Sequence, residues 1–506
     1  MQIPRLARNA LYYGVALVLS FLFIRAFGYH AKANNLLTVL GLLLLLLGFG
    51  VGALRMVAYA LLLAAAVYMP FGLVYGKPDF LIIASLLQSN RSESIEFIGQ
   101  MPIPYFMLAL AFAVAAWFFV FRPSQEGRQT RRLTAGGLFF LLSLGTYAKA
   151  IGSTEAQKEI LAWDLPRSVA QSMQQYHKEE QGFRAVQASN QWQVRHVDSR
   201  YRNYVIVVGE SVRRDHMSLY GYPQQTTPFA DQAKGVFIDG YVAPAPNTFV
   251  AIPRTLAEVS GDDVAYGRNL VALARQAGLR TYWLSNQGYV GEFDSPSSRL
   301  AASADVVHFT KLGSSLTSNT DDTALLAPLT AGLRDGHRGT RLFVLHLMGS
   351  HPAFCERSQG EERHYTASSA AMRCYLGSIR HTDSLLADAY QALRAAGQPF
   401  SMIYLSDHGL RQQDKGGNGA TLVHDNQYRQ NYAVPFFILS SDATAHTTLH
   451  KEMSGVNFIR GAAQWMGIQA DGLPRYDFKS AAPDEHIQVF DGGSYRDYNG
   501  LRDDPL

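Results

Sequence analysis

Three short apolar runs in this chain each lead straight into residues able to bind a metal or a phosphate. YVIVVG, residues 204–209, is followed by Glu210, MIYLS by Asp407-His408, and LFVLHLMGS by His351. A carboxylate just after a strand is commonly a helix cap or turn residue, and a lone histidine usually has only a structural partner. Three strand ends that together deliver Glu, Asp, His and His point instead to one shared site. Four oxygen and nitrogen ligands without thiolate suit Zn²⁺ better than Mn²⁺, and Ca²⁺ prefers an all-oxygen shell. Adjacent Asp and His at a strand end can turn toward one point as the strand breaks. His424, in GGNGATLVHD, follows a glycine-rich loop that could fold back over that point; its other reading is a surface-loop histidine. His346 lies inside an apolar run and is expected simply to pack.

The elements that must hold these residues follow from hydrophobic pattern. Runs rich in Val, Ile, Phe and Tyr recur at 204–208, 281–284, 342–347, 402–405 and 434–439, with helical periods at 269–279, 321–335 and 369–396. Alternating strands and helices predict a mostly parallel sheet with helices on both faces. Ligands in such sheets gather where the strands end.

The chain has 506 residues, with 45 Lys and Arg against 41 Asp and Glu. Only 16 of these charged side chains fall within residues 1–150, so the whole cannot be a simple soluble enzyme. A charged remainder equally excludes a purely integral channel. The net charge of +4 gives no clustered basic face for nucleic acid, so no nucleic-acid partner is expected. Apolar stretches at 10–29, 36–54, 56–76, 104–122 and 134–152 reach the ~20 residues that a bilayer core demands, predicting five transmembrane helices. Arg5, Arg8, Arg55, Arg122, Arg128, Arg131 and Arg132 fall in alternate loops, which puts the N-terminus in the cytoplasm and everything after residue 152 outside. The expected organisation is a transmembrane domain at 1–152, a linker and bridging helix at 153–200, and a soluble catalytic domain at 201–506. Between the third and fourth spans, the apolar spacing at 80–100 predicts an interfacial helix. The chain has two cysteines, Cys355 and Cys374, which exclude a C-x-x-C centre; outside the cytoplasm they could form one disulfide.

Gly209-Glu210-Ser211, Arg213-Arg214-Asp215, Leu219-Tyr220-Gly221-Tyr222-Pro223, Leu345-His346 with Gly349-Ser350-His351-Pro352, Ser406-Asp407-His408-Gly409 and Asn418-Gly419 with His424 occur in that order. In these motifs the chain resembles the bacterial phosphoethanolamine transferases, membrane-anchored members of the sulfatase/alkaline-phosphatase superfamily. Trp283-Leu284-Ser285-Asn286-Gln287-Gly288 and HLMGSHP are most similar to the members that decorate osmoregulated periplasmic glucans. The resemblance implies an α-helical membrane domain and a periplasmic sulfatase-like α/β domain in the bacterial inner membrane. It also implies one tightly held Zn²⁺, with a second conceivable, a phosphatidylethanolamine donor and a glycan acceptor.

The family's nucleophile is a threonine five residues before a proline, which Thr248 and Pro253 match. Physics alone reads Thr248 as a helix N-cap, and Ser211 competes as nucleophile because it follows Glu210. The resemblance makes Glu210, Thr248, Asp407 and His408 the metal ligands, and gives His351 and His424 the substrate phosphate, a second metal or the leaving-group proton. Ser85, Ser89 and Glu93 resemble the segment that meets the lipid head group, although a polar face of an interfacial helix explains them equally. Two departures matter for the acceptor. Transferases acting on lipid A carry a lysine where Asn286–Glu292 has none, and they have several disulfides where this chain can form one. Lipopolysaccharide core or lipid A therefore ranks behind glucan. The rivals are a periplasmic phosphodiesterase, with water replacing the acceptor, and a non-catalytic envelope scaffold. No Cys near Thr248 allows a formylglycine-type sulfatase of the cysteine kind.

Overall fold

The computed structural model describes residues 5–74, 76–80, 82–83, 87, 102–121, 128–148, 160–184, 192–261, 263–289, 296–312, 320–414 and 419–504. They divide into two compact units, one drawn from Met1–Ile83 and Ile98–Gln174, the other containing Gln175–Leu506.

The first unit holds α1 (Arg5–Ala26), α2 (Ala33–Gly48), α3 (Gly52–Val74), α4 (Ile103–Val120) and α5 (Arg128–Ala148). The sequence predicted five spans, but among the described residues three segments are long and apolar enough to cross a membrane: Asn9–Ala26, Gly52–Val74 and Ile103–Val120. The expected span at 36–54 is broken because Gly50 takes a left-handed φ of 71°, which leaves α2 with 16 residues. At 1.5 Å per residue that is roughly 24 Å, short of the ~30 Å core. The span expected at 134–152 sits on α5, whose start carries Arg128, Arg131 and Arg132, leaving an uncharged stretch about as short. The expected interfacial helix falls mostly outside the described residues. A further helix, α6 (Leu161–Arg184), lies in the stretch read as a linker, and the division of the chain into units falls within it, after Gln174.

The second unit is built on an eight-stranded sheet. In chain order its strands are β1 (Asn203–Gly209), β2 (Gly235–Val242), β3 (Arg280–Tyr289), β4 (Val306–Leu312), β5 (Arg341–His346), β6 (Phe400–Ser406), β7 (Phe436–Ser440) and β8 (His446–Ser454). Their spatial order is β8-β2-β7-β6-β1-β5-β3-β4. All run parallel except β7, which pairs antiparallel with both β2 and β6. The five apolar runs of the sequence are β1, β3, β5, β6 and β7. The central strands β1, β5 and β6 are buried along their whole length, which is why they read as unbroken apolar runs. The three strands that the sequence hid lie toward the margins. β8 and β4 are edges, and β2 is interrupted by Asp239-Gly240.

The strands that deliver Glu210, His351 and Asp407-His408 are immediate neighbours, in the order β6-β1-β5. Val208 pairs with His346, and Gly209 pairs with Ser406, so the three C-terminal ends finish level. Packed on this unit, α7 (Thr248–Leu256) starts beside those ends, and the long α8 (Ala370–Ala395) begins under a Ser369 cap that accepts the Met372 N–H at 3.1 Å. Cys355 and Cys374 are joined as a disulfide, 19 residues apart in sequence. A closed loop of that length limits the unfolded chain by about 3 kcal/mol. Replacing both cysteines with alanine should therefore destabilise this unit by about that amount, read as a lower denaturant midpoint, with the m-value rising as the unfolded chain expands.

Candidate active site

β1 ends at Gly209, and Glu210 turns inward as the strand breaks. The following residue, Ser211, holds a left-handed φ of 61°, unusual for a side-chain-bearing residue. That turn lets Ser211 serve both carboxylates: its hydroxyl donates to Glu210 Oε1 at 2.7 Å, and its N–H donates to Asp407 Oδ1 at 3.2 Å. The neighbouring turn fits only because Gly349 takes a φ of 47° and has no Cβ, which would lie 2.9 Å from the Glu210 nitrogen. At the end of β6, the His408 N–H also donates to Asp407 Oδ1, at 2.8 Å. Asp407 Oδ2 is buried with no hydrogen-bond partner among the described residues.

His408 Nδ1 faces the Gly409 carbonyl at 2.8 Å; a carbonyl only accepts, so this nitrogen carries a proton. Its Nε2 therefore faces the cluster, 3.2 Å from Glu210 Oε1 and 3.5 Å from Asp407 Oδ2. Glu210, Asp407 and His408 are fully buried. Burial works to raise the Glu210 pKa, but His408 holds it well below the usual carboxylate range. Burial, with the Glu210 charge alongside, pushes Asp407 up to about 7. Against burial, the two carboxylates push His408 up to about 9. The trio thus demands positive charge, which a proton or a metal cation can supply. Their ligand atoms all lie within 4.8 Å of one another, and the orphaned Asp407 oxygen and the Nε2 position complete a donor set that fits a divalent cation.

Thr248 reaches the same point from α7. The sequence reading made it the helix cap; instead Asn247 is the cap, its side chain accepting the Val250 N–H at 3.3 Å, and Thr248 is the first helical residue. Asparagine is the better cap, which frees the threonine hydroxyl. Thr248 Oγ1 donates to Glu210 Oε2 at 2.8 Å and lies 3.3 Å from His408 Nε2. Thr248 is partly exposed, whereas the rival Ser211 is wholly buried, its hydroxyl committed to Glu210.

His424 packs its ring on His408, centroids 4.8 Å apart. Its Nδ1 donates to the Pro246 carbonyl at 3.3 Å, and His351 Nδ1 donates to the Pro352 carbonyl at 3.2 Å. Burial lowers His351 to about 4 and His424 to about 3, the neighbouring charged His408 adding to the effect at His424. Both imidazoles are therefore neutral at pH 7, with Nε2 as the unprotonated nitrogen. Ser85, Ser89 and Glu93 lie outside the described residues. Sequence reasoning passed over His346, read as a packing residue. It is buried at the end of β5 with Nδ1 3.3 Å from Ser285 Oγ and Nε2 unpartnered among the described residues. Its signal in the sequence was its place in Leu345-His346 and at the head of HLMGSHP, motifs that carry the family resemblance, although its position inside an apolar run led to the packing reading.

The strand order and the acid–imidazole cluster at the strand ends define a sulfatase-type domain. Residues 202–468 match the family model described as Sulfatase. Phosphoethanolamine transferase OpgE of Escherichia coli (strain K12) is 34% identical over 441 residues, covering 83% of this chain and 82% of that protein. A putative phosphoethanolamine transferase of Haemophilus influenzae is also 34% identical, over 369 residues, covering 70% of this chain and 74% of its own. The chain belongs to the phosphoethanolamine transferase family and is an enzyme of that kind. Its fold is like that of the integral membrane protein lipooligosaccharide phosphoethanolamine transferase A from Neisseria meningitidis, with a TM-score of 0.63, 15% identity, and coverage of 91% of this chain and 96% of that one. The C-terminal periplasmic domain of EcEptC from Escherichia coli, solved in complex with Zn, gives a TM-score of 0.54 at 20% identity, covering 61% of this chain and 96% of that one.

Burial lowers His346 to about 4 from the ordinary 6.5, with Glu210 only partly opposing it. Between those values the unfolded chain binds a proton that the folded chain rejects, so stability falls as pH drops through that window. Melting temperatures taken from pH 7 to pH 4 should show a shallower acid-side decline for His346→Gln than for wild type. Equal slopes would remove His346 from the acid response.

Proposed function

We propose that this enzyme transfers phosphoethanolamine from phosphatidylethanolamine to a periplasmic glycan, most fittingly osmoregulated periplasmic glucan, through a covalent phospho-Thr248 intermediate. The observation that carries this reading is the Thr248 hydroxyl, partly exposed, 2.8 Å from Glu210 and 3.3 Å from His408. Glu210, Thr248, Asp407 and His408 would hold a Zn²⁺ ion. Bound there, zinc supplies the Lewis acidity that makes an alcohol nucleophilic at neutral pH.

In the first step the Thr248 proton leaves along its hydrogen bond toward Glu210. Oγ1 then bonds to the donor phosphorus while the bond from phosphorus to the diacylglycerol oxygen breaks, and the proton released by Thr248 is passed on to that oxygen, which departs as the alcohol. In the second step an acceptor hydroxyl attacks the same phosphorus, its proton is taken up within the site, and the Thr248–phosphorus bond breaks as Oγ1 regains a proton and the free hydroxyl is restored. The start of α7 favours the anionic phosphoryl group through unsatisfied N–H groups and the helix dipole. His351 and His424, neutral and presenting Nε2, suit uptake of the acceptor proton or ligation of a second cation. A covalent relay lets a lipid donor and a polar acceptor use the site in turn.

The proposed setting is the bacterial inner membrane, with a cytoplasmic N-terminus and the catalytic unit in the periplasm. The loop charges support this orientation, and the Cys355–Cys374 disulfide suits an oxidising compartment. Within it, residues 1–152 serve as the membrane anchor, 153–200 as the connection and 201–506 as the catalytic domain. Ser85, Ser89 and Glu93 are assigned to the lipid head group.

Thr248→Ala should cut diacylglycerol release from phosphatidylethanolamine by at least about 10³-fold, while the melting temperature stays near that of wild type. Near-normal release would defeat the nucleophile assignment. Wild type incubated with the donor should carry one phosphoethanolamine on Thr248 by peptide mass spectrometry. Chelation should abolish release and added Zn²⁺ restore it; release that persists in metal-free protein would exclude the zinc.

A further inference from the structure

Between His424 and β7 runs the loop Asp425–Pro435, and at its centre Asn431 is completely buried. Three segments of the active site meet on this one residue. Its side-chain oxygen accepts the Asp425 N–H at 2.7 Å, next to His424. Its side-chain nitrogen donates to the Pro246 carbonyl at 2.8 Å, two residues before Thr248. Its backbone carbonyl accepts the Gly409 N–H at 2.8 Å, next to His408. The Pro246 carbonyl is also the acceptor for His424 Nδ1, so imidazole and amide share one oxygen.

The loop is in turn tied down from the C-terminal side. Gln430 donates to Asp503 Oδ1 at 2.6 Å and accepts the Asp504 N–H at 2.8 Å, and the Arg429 N–H donates to the Arg502 carbonyl at 2.9 Å. Asp504 Oδ2 accepts from the buried Arg213 at 2.7 Å, three residues after Glu210. A buried amide with both ends used fixes distance and orientation, because any shift leaves a polar group unsatisfied.

We propose that Asn431 is a positioning residue for the transfer, its amide setting the spacing between the Thr248 segment and His424 beside the acidic trio. This rests on the reaction proposed above. Among the described residues, the side-chain hydrogen bonds of Asn431 go to Pro246 and Asp425, not to the trio's side chains or the Thr248 hydroxyl, so it acts through those two residues.

The full chain, purified in detergent, is assayed for diacylglycerol release from phosphatidylethanolamine in mixed micelles. Asn431→Asp keeps the volume and the acceptor for Asp425 but replaces the donor to Pro246. Asn431→Ala removes both contacts. Each should lower kcat about 10- to 100-fold, the scale of a misplaced reacting group, with KM changed less than about threefold. With His424→Ala added to Asn431→Asp, the double variant should fall no further than the worse single, since both act on one geometry. Gln427→Ala, an exposed change on the same loop, should match wild type.

A wild type without activity or without an adduct on Thr248 defeats the proposed reaction, and this inference with it. An active wild type with both Asn431 variants within about threefold of it defeats this inference alone. Additive losses with His424→Ala, an equal loss in Gln427→Ala, or failure of both Asn431 variants to fold would assign Asn431 a structural role and overturn the positioning.

Discussion

Two carboxylates and one imidazole, all removed from water, converge on a single point, and the catalytic unit is arranged around that costly arrangement. Burying like charges together is unfavourable unless donors and positive charge are supplied. Ser211 and His408 supply N–H donors to one oxygen of Asp407, the Ser211 hydroxyl serves Glu210, and His408 supplies positive charge. The other Asp407 oxygen has no hydrogen-bond partner among the described residues and only His408 Nε2 at 3.5 Å as counter-charge, so the site favours a cation. Asp407 pushed up and Glu210 held low are two consequences of the same crowding.

The sheet brings these groups together but does not by itself hold their loops. That falls to α8, which touches two of them with consecutive turns. The Tyr375 hydroxyl donates to the Ser211 carbonyl at 2.9 Å and accepts the Arg213 N–H at 2.8 Å, bracing the turn after Glu210. One turn on, Ser378 Oγ donates to Ser350 Oγ at 2.8 Å, beside His351, while Cys374 is bonded to Cys355 just beyond it. Asp322, a buried carboxylate accepting the Met348 and Gly349 N–H groups at 2.8 Å each, secures the same turn from the other side. Asn431 ties the His408, His424 and Thr248 segments to one another. A transfer site of this kind needs reacting atoms held to fractions of an ångström, and such cross-ties provide that rigidity.

The membrane-facing unit obeys a different constraint. Lipid supplies no hydrogen bonds, so only helices and closed barrels carry the backbone through it, and for helices length in apolar residues decides which ones can span. Hydropathy in a sliding window counts Gly50 as harmless, yet its left-handed backbone ends one helix and frees the next to begin. Arginines at the start of α5 shorten its uncharged stretch in the same way. Both sit where a run of apolar letters looks continuous.

Composition and pattern determined a great deal. The division into an apolar front and a charged remainder, five of the sheet's strands and the candidate ligands after three of them were legible because a strand buried on both faces leaves an unbroken apolar run. The disulfide partners were legible because only two cysteines exist. Edge strands β4 and β8 were not, since a strand bonded on one side tolerates polar residues and loses its signature. Nor was the cap at Asn247, a choice between adjacent polar residues that turns on which side chain has a better partner elsewhere. Tertiary structure alone decided that β6, β1 and β5 are neighbours with level ends, that Ser211 is spent on Glu210 while Thr248 stays accessible, and that His346 and Asn431 stand beside the site. Those outcomes depend on long-range contacts such as Thr248 with Glu210, 38 positions apart, and Ser211 with Asp407, 196 apart, and no local pattern encodes a distance across the sheet.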